Sequence, residues 1–295
     1  MSISVVVTNY NTKDLTLRCL DGLARHSAGR PVQVIVVDDA STERLAGVLP
    51  SGVELVQNDV NQGYVRSVNI GVRRATGDVV LLLDSDACPV SDVLSPTVDA
   101  FAANPRLGAL GYHLVDSGGR PTGAIQPEPT VLGLALGQAL EARFSRWIHR
   151  HADGRFTIHS CALAFRRKAF VELGGFDEGF DFLDADTDFS MRMRRAGWAF
   201  AMNDDVRIQH EGSGSPQATA KRVVRHHANR WRLLEKHGLI THPALLRGAL
   251  ALRHATELLW LSRPAVLWQG DPATRADKLN GRRQLMSTVW KSYRS

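Results

Sequence analysis

Residues 79–89 read VVLLLDSDACP: five apolar residues that run into Asp84, Ser85 and Asp86. An uninterrupted apolar run of this length suits a strand buried on both faces. It ends, however, on two carboxylates one residue apart. Desolvating isolated charges is expensive, so water or a positive partner has to reach them. Two carboxylates on a short turn can hold Mg²⁺ or Mn²⁺, ions that favour hard oxygen ligands and share sites with substrate phosphates. The plainer alternative is a solvated turn in which Asp86 caps the following segment.

The stretches on the N-terminal side weigh against the plainer alternative. ISVVVTNYN (3–11), VQVIVVDDAS (32–41) and VELVQN (53–58) each read as a strand that finishes in polar residues. Between them lie helical patterns: Leu15, Cys19, Leu20 and Leu23 in the first, a short helix over ERLAGVL (43–49), and Val65, Val68, Ile70 and Val72 in YVRSVNIGVRRAT (64–76). Alternating strands and helices predict an α/β fold with a mostly parallel sheet sandwiched by helices. In such sheets ligands sit beyond the carboxyl ends of the strands. Thr8-Asn9-Tyr10-Asn11, Asp38-Asp39, Asn58 and Asp84-Ser85-Asp86 would then share one edge. That convergence favours a ligand site.

Beyond residue 90 the expected elements are a helix over SPTVDAFAANP (95–105), a Gly/Pro-rich loop at 118–129, and a helix over 130–151 that could lie near an acceptor site or serve as a lid. A strand leading into a helix is expected over 155–170, then an amphipathic helix over ADTDFSMRMRRAG (185–197), and short strands with a flexible tail over 198–216. From about Pro216 the chain turns basic, Leu-rich and helical, which predicts a catalytic domain over 1–215 and a helical appendage over 216–295.

The 295 residues are 44% apolar and carry a net charge of +6, enough for a sizeable core and a preference for anionic partners. Cys19, Cys88 and Cys161 show no metal or redox spacing, and a reducing compartment fits them. Without a signal-peptide pattern or a span of about 20 apolar residues, the expected location is cytoplasmic, in solution or peripheral to the inner face of a membrane.

Several further residues could bear chemistry. Thr8 and the Tyr10 ring could meet a nucleoside, with Asn11 as a helix N-cap. Asp38 and Asp39 could accept from a ribose hydroxyl or a uracil N–H. Gly63 precedes a helix whose first turns carry Arg66 and Asn69, and these could face a diphosphate. The acidic run GFDEGFDFLDADTD (175–188) suits a helix N-terminus, yet one of its members could deprotonate an acceptor hydroxyl, and spacing does not choose between Asp184 and Asp186. His210 could be a metal ligand through its neutral imidazole.

Taken in order, these motifs resemble those of the inverting glycosyltransferases of family 2, which have the GT-A fold. VVVTNYN is similar to the family's opening strand, and VVDDAS to its Val-Val-Asp-Asn-Ala-Ser. NQGYVRSVNIGVRRATGDVVLLLDSD follows its Asn-x-Gly to Leu-Asp-x-Asp run. LGGFDEGF and DTDFSMRMRRAGW resemble its Gly-Gly-Phe-Asp-Glu and acidic-helix blocks. The C-terminal helices resemble the rhamnosyltransferase-like branch more loosely. The resemblance implies nucleoside contacts from Thr8, Tyr10 and one of Asp38 and Asp39, with Asp84 touching ribose or metal; Asn9, Arg66, Asn69 and Ser85 are further candidate nucleotide contacts, although Arg66 stands where the branch usually has a small residue. It implies a Mn²⁺ or Mg²⁺ ion on Asp86 and Asp84, with His210 where some members have a ligand. Asp186 falls where the family's base sits. The residue before it is Ala185 instead of Glu, which keeps Asp184 as its rival.

The activity implied is transfer of a sugar from a nucleoside-diphosphate sugar, most simply UDP-linked, to a hydroxyl acceptor that could be lipid-linked. The C-terminal helices would touch a membrane or a second copy. Two other classes compete. A sugar-phosphate nucleotidyltransferase would want a Gly-rich basic loop after the first strand, and TNYNTKDL has none. A nucleic-acid-binding protein is suggested by charge alone, and the basic residues form no recognised module; no nucleic-acid partner is expected.

Overall fold

The computed structural model describes residues 1–27, 29–137, 155–210, 219–263 and 272–288. Strands and helices follow in the order β1 (Ile3–Asn9), α1 (Lys13–Arg25), β2 (Gln33–Asp38), β3 (Val53–Gln57), α2 (Tyr64–Arg74), β4 (Val79–Asp84), β5 (Ala87–Pro89), α3 (Leu94–Ala103) and β6 (Leu107–Val115). They continue with β7 (Ile125–Pro127), α4 (Val131–Leu136), β8 (Phe156–Ile158), β9 (Ala162–Arg166), α5 (Arg167–Glu172), α6 (Ala185–Arg195), β10 (Ala199–His210), α7 (Thr219–Lys236), α8 (Pro243–Leu261) and α9 (Pro272–Thr288). Two compact units result: Met1–Pro127 with Phe156–Gly214, and Glu128–Arg155 with Ser215–Ser295.

The first unit is built on an eight-stranded sheet of order β3-β2-β1-β4-β9-β6-β10-β5. β3, β2, β1 and β4 run parallel, β9 is antiparallel to both neighbours, and β5 is antiparallel to β10. Every residue of β1 is buried, and β4 is buried up to Asp84. The apolar runs therefore mark strands covered on both faces, as their lack of alternation implied.

One connection bends this sheet. Only Ser85 and Asp86 join β4 to β5, although β9, β6 and β10 separate those strands in the sheet order. Four strand spacings in a flat sheet span about 19 Å, whereas three Cα steps reach at most about 11 Å. The sheet must curl until its β5 edge returns beside the end of β4. β5 then lies on α1, where the Cys19 thiol donates to the Ala87 carbonyl at 3.1 Å. Gly22 leaves room on α1 for Cys88 and Pro89.

The helices that cover the sheet are fixed by close approach and aromatic packing. Gly71 brings α2 onto β1 so tightly that a Cβ there would sit 2.4 Å from Val6 Cγ1 and 3.0 Å from Val37 Cγ2. Phe165, Phe170, Phe176 and Phe189 pack ring against ring under α6, with centroids 4.8–5.8 Å apart. The Arg192 guanidinium ties this layer down by donating to Asp188, to the Leu173 carbonyl and to the Gly175 carbonyl, each at 2.7 Å. Asp188 is fully buried, so the pair is held by its geometry and its extra acceptors.

Three expectations need correction. ERLAGVL forms a turn instead of a helix, because Gly47 sits at φ +82°, outside the right-handed helical region. The Gly/Pro-rich loop contains β7, which pairs with β8 through Ile125↔Ile158. Residues 199–210 form one strand, kept in the sheet by register shifts after Ala199 and between Asn203 and Arg207. The long helix expected over 130–151 starts as α4, and residues 138–154 lie outside the described residues, as does the tail at 211–218.

The second unit is helical. Leu134 of α4, Trp231 and Leu234 of α7, and Leu246 and Leu250 of α8 form its core. Among the described residues no helix is long and apolar enough to cross a membrane.

The Gly71 contact yields a stability prediction. Gly71→Ala gains at most about 1 kcal/mol of helix propensity, against about 1–3 kcal/mol for forcing a methyl into a filled site. Its urea midpoint should fall; an unchanged or higher midpoint would show that α2 can lift off β1 freely.

Candidate active site

Because the sheet curls, strands distant in its order deliver side chains to one place. Asp84 ends β4, Asp86 precedes β5, and His210 ends β10 opposite Ala87 of β5. His210 Nε2 lies 3.5 Å from Asp86 Oδ1. One ligand atom each from Asp84, Asp86 and His210 lie within 4.8 Å of one another. Ligand atoms bound to one ion through bonds of about 2.0–2.6 Å sit up to about 5 Å apart, so this trio fits a single divalent cation.

A polar atom with nothing to bind supports that fit. Asp84 Oδ1 is shielded from water and accepts no hydrogen bond. Burial pushes the Asp84 carboxyl up to about 7, the Asp86 and Asp186 carboxylates add to the rise, and the Tyr64 hydroxyl opposes it. The shielded oxygen calls for a proton or a cation, and two carboxylates with an imidazole make a donor set for the latter.

Asp186, at the start of α6, stands on the same side. Its Oδ2 accepts from the Ser160 N–H at 3.0 Å and its Oδ1 from the Thr187 N–H at 2.7 Å. Burial raises its pKa, with His159 and these two N–H groups opposing and Asp184 contributing to the rise. Asp184 is buried with a left-handed backbone (φ 67°), and its carbonyl accepts from the Asp188 N–H. Asn11 and Ala40 adopt the same left-handed region, at φ 55° and 60°. Among the described residues these are the three positive-φ residues other than glycine, and Asn11 and Ala40 adjoin predicted site residues while Asp184 is one; Ala40 has no side chain able to compensate.

The remaining predicted residues divide by whether their polar atoms are already used. The Asn9 amide donates to Asp38 Oδ1 (2.7 Å) and Ser41 (3.0 Å), and its carbonyl oxygen accepts from Thr12 (3.0 Å) and Thr16 (2.7 Å). Asn9 thus braces the end of β1. Asp39 Oδ1 accepts from Asn58 and the Gln62 N–H, and its Oδ2 from the Gly63 N–H. It holds the loop ahead of α2. Asp38 differs: its Oδ1 serves Asn9 and Ser41 while Oδ2 has no partner. The Asn69 side chain reads both main-chain groups of Phe176 and reaches Glu178. It clamps the Gly-Gly-Phe-Asp-Glu turn, where Gly175 at φ +76° leaves only 2.8 Å from a would-be Cβ to Asn69 Oδ1. Arg66 pairs with Glu178 at 3.2 Å on the surface. Ser85 meets Thr12 at 2.8 Å, Thr8 is buried beside Asp84 in the β1–β4 register, and Tyr10 is exposed.

Two participants carry no sequence signal. Tyr64 opens α2, and its hydroxyl lies 3.5 Å from the Ser160 carbonyl while its ring meets Phe182 edge-on. Ser160, through its N–H on Asp186, sits between Tyr64 and that carboxylate. Both reach the site only through tertiary folding.

Residues 4–174 match the model for Glycosyl transferase family 2. The N-acetylglucosaminyl-diphospho-decaprenol L-rhamnosyltransferase of Mycobacterium tuberculosis is 25% identical over 281 residues, covering 85% of this chain and 91% of the relative. A glycosyltransferase of Haemophilus influenzae is 31% identical over 113 residues, and the match spans only 38% of its length and 38% of this chain. Among solved structures, the mannosyltransferase PcManGT from Pyrobaculum calidifontis, in complex with GDP-Man and Mn²⁺, matches with a TM-score of 0.55 at 20% identity. That match covers 97% of this chain and 86% of the other. At such identity the likeness establishes the fold, which is GT-A.

The raised Asp84 pKa has a stability consequence. The folded value (about 7) exceeds the ordinary 3.8, so the folded state binds the extra proton. Its stabilising contribution is whole below pH ~4 and is lost as pH rises through ~7. In metal-free protein, Asp84→Asn should therefore raise the melting temperature at pH 8 and leave it nearly unchanged at pH 4. A variant less stable than the parent at pH 8 would contradict the assigned burial.

Proposed function

Because the chain belongs to Glycosyl transferase family 2, we propose that it transfers a hexosyl or deoxyhexosyl group from a nucleoside-diphosphate sugar to a hydroxyl with inversion at the anomeric carbon. The observation that carries this reading is the unpartnered, shielded Asp84 Oδ1 beside Asp86 and His210. These three residues would hold Mn²⁺ or Mg²⁺, and the bound ion would supply charge neutralisation for the departing diphosphate.

The protein's own groups perform the remaining work. Asp38 keeps an unused carboxylate oxygen at the end of β2, so of the two adjacent aspartates it is the one suited to accept from a base N–H. Uracil offers such a group at N3, and the proposed donor is UDP-linked. Thr8 and Tyr10 flank the same strand end, with the exposed Tyr10 ring available to wall the nucleoside. Asp39, Asn9 and Asn69 act by holding the loops that frame this pocket.

Asp186 is the proposed base. Two main-chain N–H donors fix its orientation, and burial raises its affinity for a proton. A carboxylate shifted this way is better matched to taking a proton from an acceptor hydroxyl at neutral pH. The hydroxyl oxygen bonds to the anomeric carbon as the bond to the diphosphate breaks, and its proton passes to Asp186. One displacement inverts the centre, with no covalent glycosyl-enzyme intermediate. For the acceptor we propose a lipid-linked hydroxyl, a class supported by the name of the mycobacterial relative.

Two measurements test the assignments. Mn²⁺ should raise the melting temperature of the parent by mass action, and Asp86→Asn and His210→Ala should each remove that rise; an unaltered rise in both would remove the metal site. Asp186→Asn should lower kcat by about 10²- to 10⁴-fold while donor affinity stays within a few-fold. Loss of turnover in Asp184→Asn, with Asp186→Asn active, would move the base to Asp184.

A further inference from the structure

The helical unit has a second apolar face that its own core does not use. On α8, Leu246, Leu250, His254 and Leu261 are buried. Leu245, Leu252 and Leu259 are 73%, 68% and 73% exposed, and Trp260 is 54% exposed. Successive leucines are seven residues apart, two helical turns, so they form one stripe along the helix. At 100° per residue the stripe is centred roughly 165° away from the buried positions. Small residues fill it in: Gly248 and Ala249 are exposed, as is Thr256. A soluble helix normally turns charge to solvent on this side; here no exposed position of α8 carries a charged residue.

Charge chooses the occupant. Residues 216–295 contain 15 Lys and Arg against 4 Asp and Glu, a balance of +11 in a chain whose total is +6. In this unit Lys221, Arg222, Arg225, Arg232, Lys236 and Arg263 are exposed, and Glu235 is the one exposed carboxylate among its described residues. Glu257, the acidic side chain of α8, is engaged by Arg253, His254 and Arg282. A second copy seated on the stripe would set two such basic units against each other, with no acidic residue of α8 left to answer them. An anionic surface that is apolar beneath suits both features: leucines enter the acyl boundary, a tryptophan near the helix end sits at headgroup level, and Lys and Arg meet the lipid phosphates.

We propose that α8 lies along an anionic lipid bilayer, with Leu245, Leu252 and Leu259 inserted and exposed Lys and Arg residues of the helical unit on the headgroups. The inference is independent of the sugar-transfer reading, since no donor or acceptor takes part in binding.

The test is flotation of the full chain with vesicles of phosphatidylcholine alone or with 30% phosphatidylglycerol. Binding is expected only to the anionic vesicles and should weaken at 0.5 M NaCl, where screening shortens the reach of the charges. The variant Leu245→Gln/Leu252→Gln/Leu259→Gln changes only exposed positions and should keep the parent's melting temperature. Its partition onto anionic vesicles should fall at least about ten-fold. Equal binding of parent and variant, or none by the parent, overturns the proposal. Light scattering that finds a dimer dissociated by the triple substitution would assign the stripe to a second copy. Salt-sensitive binding to RNA with none to vesicles would assign the charge to nucleic acid.

Discussion

The two-residue link between β4 and β5 governs the arrangement of the site. It requires a strand from the middle of the sheet and one at its edge to meet, which a flat sheet forbids. The curl that satisfies it brings the end of β10 beside the end of β4. Asp84 and Asp86 thereby gain His210, more than 120 residues further along the chain, as a neighbour. At the same place Asp84 Oδ1 is shielded from water and accepts no hydrogen bond. A carboxylate buried there holds its proton up to about pH 7 and gives it up more readily when a cation joins it.

Around this point the polar residues separate into two kinds. Asn9, Asp39, Asn69 and Asp188 have spent their hydrogen-bonding capacity on main chain and neighbouring side chains. They make loops rigid at the ends of β1, β2 and α2 and under α6. Asp84 and Asp38 each retain an oxygen without a partner, and Asp186 is held by main-chain N–H groups that orient it. Rigid framing by the first kind is what allows the second kind to remain unsatisfied without collapse of the pocket, because buried polar atoms otherwise find partners by rearrangement.

Much of this was legible in the residues. Unbroken apolar runs identified β1, β2 and β4 because burial on both faces removes alternation, and polar strand ends located the rim. The Asp-x-Asp turn and His210 could be named singly, but their meeting depends on sheet curvature, which has no local code. Sequence spacing could not separate Asp38 from Asp39, since only the loop before α2 reveals that Asp39 is already occupied. Asn69 and Arg66 looked alike as polar residues on a first helical turn; the fold sends Asn69 inward to Phe176 and leaves Arg66 on the surface with Glu178. Tyr64 and Ser160 were silent because a tyrosine at a helix start and a serine between strands are ordinary. The short helix expected over 43–49 is interrupted by the left-handed backbone of Gly47, and the apolar count alone could not show that α8 carries two separate faces.

The central claim is that Asp84, Asp86 and His210 together bind one divalent cation. The most direct measurement is the anomalous difference density of a crystal grown with Mn²⁺ and a nucleoside diphosphate. One peak is expected at the β4–β5 turn, within about 2.0–2.6 Å of Asp86 and His210 ligand atoms. A nucleotide bound at the strand ends with no peak there, or with manganese held by other residues, would contradict it.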